Sequence, residues 1–220
     1  MTRPLTALLC MASLSALSCP MATQAPGESA RALLGAAALP SVDAAPPERE
    51  GDAKRAALPQ AEVAAVADYL ARRRTGLTRP ETDALAESIF ILAQRHRLDP
   101  QIVLAVMHVE SRFNAFALSP VGAMGLMQVM PATGEELATQ LGVRWRGAQT
   151  LFDPMVNLRL GVAYLKQLEN RYDGDMAIAL AAYNWGPGHI DRRLRRGRAL
   201  PTEYPQLVFD AHAGGAGRRS

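Results

Sequence analysis

Through the middle of the chain, apolar residues recur at three- and four-residue steps, the spacing of one helical face. In AEVAAVADYLARRR (61–74) they are Val63, Val66 and Leu70, and the three closing arginines suit a helix C-terminus. Thr78-Arg79-Pro80-Glu81 reads as a capping box with proline in the first turn, ahead of an inward stripe of Leu85, Ile89 and Leu92. Asp99-Pro100 opens the next helix, through QIVLAVMHVES. Thr133 with Glu136 reads as another capping box, opening a helix to about Leu141. Asp153-Pro154 begins a helix with Leu158, Val162, Leu165 and Leu168 inward; Asp175 caps MAIALAAYN, and WGPG stops it. Between Ser111 and Thr133 the pattern fails: Pro120, Gly122 and Gly125 break helix, and MQVM (127–130) is at most a short extended piece. The expectation is a mainly α domain over 78–200, preceded by a leading helix in 61–77 and interrupted once by an irregular, glycine-rich segment with at most a trace of β structure.

The ends follow other rules. Residues 1–25 have Arg3, an apolar stretch too short to span a membrane, and small residues around Gln24, the pattern of a secretory signal peptide cut near Ala25. Export to the periplasm is the expectation. Ala16-Leu17-Ser18 is a poor acceptor context for a lipid on Cys19, so anchoring is not expected. Both cysteines, Cys10 and Cys19, fall in this segment, and the exported chain needs no disulfide. Residues 26–60 are rich in proline, alanine and charge and read as a disordered linker; 201–220 reads as a partly disordered tail. The formal charge of +3 is carried almost wholly by arginine, Lys54 and Lys166 being the only lysines. That suits an anionic polymer and selects none.

Glu110 is the residue with the most chemical promise. It sits at the end of a strongly apolar helix, where desolvation and the negative end of the helix dipole both favour the protonated carboxyl. A protonated acid near neutral pH is what a leaving oxygen needs. On position alone, a surface glutamate in a last turn is the better reading.

Three segments resolve that choice. ESRFNAFALSPVGAMGLMQVMPAT (110–133), NLRLGVAYL (157–165) and ALAAYNWGPGHI (179–190) resemble, in order, the three motifs of the soluble lytic transglycosylases. The resemblance implies a lysozyme-like helical domain that cleaves the β-1,4 bond between N-acetylmuramic acid and N-acetylglucosamine in peptidoglycan, leaving 1,6-anhydromuramoyl ends. It implies Glu110 as the single acid/base and Tyr183 as the tyrosine that orients it by hydrogen bonding. Ser119, Gln128, Met130 and Asn184 would line the glycan cleft, with Ser111 and Gly125 beside them. Glycan strands are the implied partner, with no cofactor, no metal and no nucleic acid. A monomer is expected, serving wall recycling or local opening for a secretion, conjugation or pilus apparatus.

A lone carboxylate is sufficient if the sugar's own N-acetyl oxygen shields the developing positive charge, a known exception to the two-acid rule. Glu110 then takes back the proton of the sugar's 6-hydroxyl as it attacks, and that proximity is worth up to about 7–11 kcal/mol in favourable intramolecular cases. Other acids have structural readings: Glu135 and Glu136 in a first turn, Asp153 as a cap, Glu169, Asp173 and Asp191 in polar settings. Met124, Met127, Tyr164, Trp145 and Trp185 fit core packing as well as sugar contact, and His108 and His189 lack a second ligand at metal-binding spacing. DRRLRRGR (191–198) reads as an exposed helix end or as a surface for anionic stem peptides. Two residues depart from the family pattern: Ala115 stands for a proline, which should loosen a turn, and Trp185 for a small residue. The competing classes are a lysozyme-type hydrolase that uses water, a wall-binding assembly factor without catalysis, and a nucleic-acid binder supported by arginine alone.

Overall fold

Eight α-helices account for most of residues 58–215, the part of the chain that the computed structural model describes. The signal-peptide and linker readings, together with both cysteines, lie outside those residues, apart from the last three positions of the linker. Helix α1 (Gln60–Ala71) buries Val63, Val66, Ala67 and Leu70, the stripe that the spacing predicts. Before α2 (Arg79–His96), the Glu81 carboxylate accepts from both the backbone N–H and the hydroxyl of Thr78, each at 2.7 Å. The side chain of Asp99 accepts from the Gln101 N–H at 2.8 Å and starts α3 (Pro100–Ser111). Every residue from 102 to 107 is buried, so α3 has no solvent face in its middle and runs through the core.

Helix α4 (Pro131–Gln140) corrects one expectation. It starts ahead of the proposed capping box, with Met130 as N-cap and no side-chain cap bond. Pro131, with its fixed φ and no N–H to satisfy, sets the first turn instead. Glu136 accepts from Gln140 one turn on, at 3.2 Å. A 3-10 turn (Ala148–Phe152) leads to α5 (Pro154–Arg171), capped by Asp153 through the N–H groups of Met155 and Val156. Asp175 caps α6 (Met176–Trp185) through the Ile178 N–H, and α7 (Pro187–Arg195) follows across Gly186.

The domain does not stop at 200. Helix α8 (Glu203–Ala213) buries Tyr204, Pro205 and Val208 and packs on α3 and α6. Its apolar pattern is short and carries Pro205 in the first turn, and only its neighbours give it a face to cover. Helix α3 thus lies between α2 and α8, while α5 packs on α2 and α6. Among the described residues the irregular segment makes no strand. It has two isolated antiparallel bridges, Leu118 with Met124 and Met124 with Val129.

Ala115 is a second correction. Where the family pattern has proline, the buried Ala115 donates its N–H to the carbonyl of Thr75 at 3.0 Å. The turn is not loosened but tied to the segment after α1, by a bond that proline cannot make. Tyr69 of α1 adds an edge-on contact to Phe113, with ring centroids 5.5 Å apart.

Candidate active site

Glu110 is the last residue but one of α3. Immediately after the helix, Arg112 and Phe113 both take left-handed backbone, with φ of 53° and 68°. Side-chain-bearing residues adopt that region at a cost, and here packing holds it: Phe113 is buried between Tyr69 and His108. The chain is thereby turned sharply away from the acid and into the glycine-rich loop.

That loop is built from polar bonds. Ser111 donates its hydroxyl to the Leu126 carbonyl at 2.7 Å, tying the acid's helix to the loop. Ser119 accepts from the Ala123 N–H at 2.9 Å, and Gln128 donates to the carbonyls of Gly125 (2.9 Å) and Ala117 (3.2 Å). At the centre is the fully buried Asn157 of α5, whose oxygen accepts from the Met127 N–H at 2.8 Å. Its nitrogen donates to the carbonyls of Met124 (2.8 Å) and Leu151 (2.9 Å). Gly125, at φ +76°, has to be glycine twice over: the backbone is left-handed, and a Cβ would run into the Asn157 amide and the Leu151 carbonyl. Gly161 leaves room for the Met127 side chain, whose own Cβ lies 2.7 Å from where a Cβ on Gly161 would stand.

Tyrosine geometry differs from the expectation. The hydroxyl of Tyr183 donates to the Met127 carbonyl at 2.8 Å, not to Glu110. Tyr204 of α8 takes that place, donating to Oε1 of Glu110 at 2.5 Å. Burial pushes the Glu110 carboxyl up to about 7, and the bond from Tyr204 draws it back only in part. Desolvation first, and then the nearby Glu110 charge, keep both the Tyr183 and Tyr204 hydroxyls protonated well above the ordinary tyrosine range. Both remain donors throughout.

Four of the other acids are engaged elsewhere. Asp153 and Asp175 cap helices, Glu169 pairs with Lys166, and Asp191 binds Arg171 and Tyr172. No group of three or more His, Cys, Asp or Glu side chains that could hold a metal occurs among the described residues.

Of the residues expected at the site, Ser111, Ser119, Gly125 and Gln128 therefore build the loop wall, with their polar groups already engaged. Met130 is 42% exposed, and Phe116 and Leu118 of the same segment are exposed too. Asn184 lies half-buried on α6 beside Tyr183, and its side chain has no hydrogen-bond partner among the described residues. Two residues escaped the sequence reading. Asn157 left a signal, a polar position four residues before Gly161 and eight before Leu165 on an inward face. Tyr204 left none, since 94 positions separate it from Glu110.

The chain matches the family described as "Transglycosylase SLT domain" over residues 87–204, more than half its length. It is 30% identical over 135 residues to a putative soluble lytic murein transglycosylase of Haemophilus influenzae, covering 61% of this chain and 23% of that one. It is 39% identical over 104 residues to the membrane-bound lytic murein transglycosylase F of Desulfosudis oleivorans, covering 44% and 21%. The chain thus matches less than a quarter of the length of either. Among solved structures, an inactive mutant of the lytic transglycosylase Slt from Pseudomonas aeruginosa is 34% identical, with a TM-score of 0.48, over 59% of this chain and 21% of that one. This chain belongs to the transglycosylase SLT domain family.

Proposed function

We propose that the protein is a peptidoglycan lytic transglycosylase that cleaves the β-1,4 bond between N-acetylmuramic acid and N-acetylglucosamine without water. The observation that carries this is the state of Glu110: a half-buried carboxyl raised to about 7 by desolvation, held by a tyrosine donor, with no carboxylate among the described residues acting on it. Such a group is divided about evenly between acid and carboxylate at neutral pH, and so can both give and take a proton there.

Glu110 gives its proton to the leaving glycosidic oxygen while the substrate's N-acetyl oxygen stabilises C1 of the muramoyl ring. The 6-hydroxyl of the same ring then attacks C1, and its proton returns to Glu110. One bond from C1 to oxygen breaks, another forms, and the enzyme ends as it began. Tyr204 holds one carboxyl oxygen fixed, which leaves the other to face the sugar. Tyr183 acts one step back, fixing the Met127 carbonyl and with it the wall that carries Gly125, Gln128 and Met130. Ser111, Ser119 and Asn184 complete that wall. The exported, monomeric form would act on periplasmic wall, either in turnover or in opening it for a secretion, conjugation or pilus apparatus.

Mass spectrometry of muropeptides released by the purified protein tests the reading. Anhydro ends, one water lighter than reducing ends, are expected. Reducing ends would make it a lysozyme-type hydrolase, and no release would leave a wall-binding factor.

Tyr204→Phe separates the two tyrosines. Losing the donor that favours the ionised carboxylate raises the Glu110 pKa, so the alkaline limb of the pH–rate profile moves to higher pH while the maximal rate falls about tenfold. Tyr183→Phe should lower the rate and leave that limb in place. If the limb moves with Tyr183→Phe and stays fixed with Tyr204→Phe, the assignment is reversed.

A further inference from the structure

Helix α7 concentrates the charge of the molecule. Residues 171–198 hold six arginines against three aspartates, a surplus of three that equals the formal excess of the whole chain. Two of the aspartates are engaged, and the third, Asp173, lines a separate pocket with Arg195. Asp191 is bound by Arg171 (2.5 Å) and Tyr172 (3.0 Å), Asp175 caps α6, and Asp173 sits in a left-handed turn. Arg193 is spent on structure, reaching His189 at 3.0 Å and the Ala199 carbonyl at 2.5 Å. Arg192, Arg196 and Arg198 make no ion pair among the described residues, and with His189 and Arg193 they line a small groove. A helix C-terminus gains from a cation or two in its last turn, and this face has more than that interaction uses.

The position of the groove gives it a direction. Trp185 closes α6 next to Tyr183 and Asn184, and the His189 ring lies over it with centroids 5.2 Å apart. Arg192 folds back over Gly188, its Nη1 3.6 Å from where a Cβ there would stand. A run of guanidinium groups therefore starts about one helical turn beyond the His189–Trp185 contact, at the end of the helix that carries Tyr183. Guanidinium binds carboxylate as a planar, two-pronged donor, which suits flexible acidic peptides better than a point charge would.

We propose that the arginine face of α7 docks the carboxylates of the stem peptides that peptidoglycan carries on its muramoyl residues. This rests on peptidoglycan being the substrate. An anionic membrane would use the same charges, yet it would not require them to begin beside Trp185 and Asn184. Peptide docking does, because the stems leave the glycan strand at the sugar that occupies the cleft.

The test uses the full chain with Arg192, Arg196 and Arg198 replaced together by alanine, assayed on peptide-bearing glycan strands and on strands stripped by an amidase. Binding is measured separately in a Glu110→Gln background by co-sedimentation. The triple variant should bind and cleave peptide-bearing strands about tenfold less well, with most of the loss removed by raised salt, and should match the parent on stripped strands. Equal loss on both substrates, or no loss on either, overturns the docking surface. So does loss of binding to vesicles of equal parts phosphatidylcholine and phosphatidylglycerol with strand binding unchanged. A parent protein that cleaves neither strand sinks the substrate reading and this inference with it; a parent that cleaves both beside an unaffected variant sinks this inference alone.

Discussion

Glu110→Gln is expected to lower release of muropeptides by about a thousandfold or more while leaving the fold and glycan binding intact. Glutamine keeps the shape and an oxygen for the Tyr204 hydroxyl, and it has no proton to give. The same variant carries a second, opposite signature in stability. The native carboxyl sits at about 7 against an ordinary value of 4.5, so the folded state holds its proton more tightly than the unfolded chain does. Its contribution is complete below 4.5 and is lost as the pH rises through 7. Above about pH 8 the wild type is therefore burdened by a buried anion, at a cost of up to about 3 kcal/mol, and the amide is not. Urea denaturation across this range should find the variant more stable than wild type at alkaline pH and similar to it in acid. A variant that still releases muropeptides at near wild-type rates would remove Glu110 from the chemistry. A stability difference that does not change with pH would mean the carboxyl is not desolvated.

Asn157→Ala is expected to cost about 3–5 kcal/mol, because three backbone groups lose a buried partner together. The N–H of Met127 and the carbonyl of Leu151 would be left facing protein without a hydrogen bond. Denaturant titration reads the loss directly. Activity should fall further than the unfolded fraction explains, since Met124, Gly125 and Met127 are the loop that Asn157 pins against α5. A variant with near wild-type stability would mean that water or a shifted loop satisfies those groups, and that the wall does not depend on this side chain.

These two residues also show how far the linear pattern reaches. Glu110 was legible because its helix is apolar up to the acid and a recognisable motif follows it. Asn157 was visible only as a letter in a motif, since a polar side chain inside a helix stripe gives no hint of the three loop atoms it will meet. Ser119 and Gln128 were expected at the site, but their bonds to Ala123, Ala117 and Gly125 come from the path of the loop. Ala115 was read as a weakness, because its N–H acquires a use only when Thr75 is brought beside it.

What the sequence determined by itself is local: helix starts at Thr78, Asp99, Asp153 and Asp175, inward stripes, and the break at Gly122 and Gly125. Caps, propensities and motifs act within a few residues, so the chain writes them where they are used. Tertiary structure alone decided that α8 belongs to the domain, that Tyr204 and not Tyr183 holds Glu110, and that Asn157 meets the loop. Each of these depends on groups far apart in the chain being packed together, and a pattern with a period of a few residues holds no record of which distant surface will cover it.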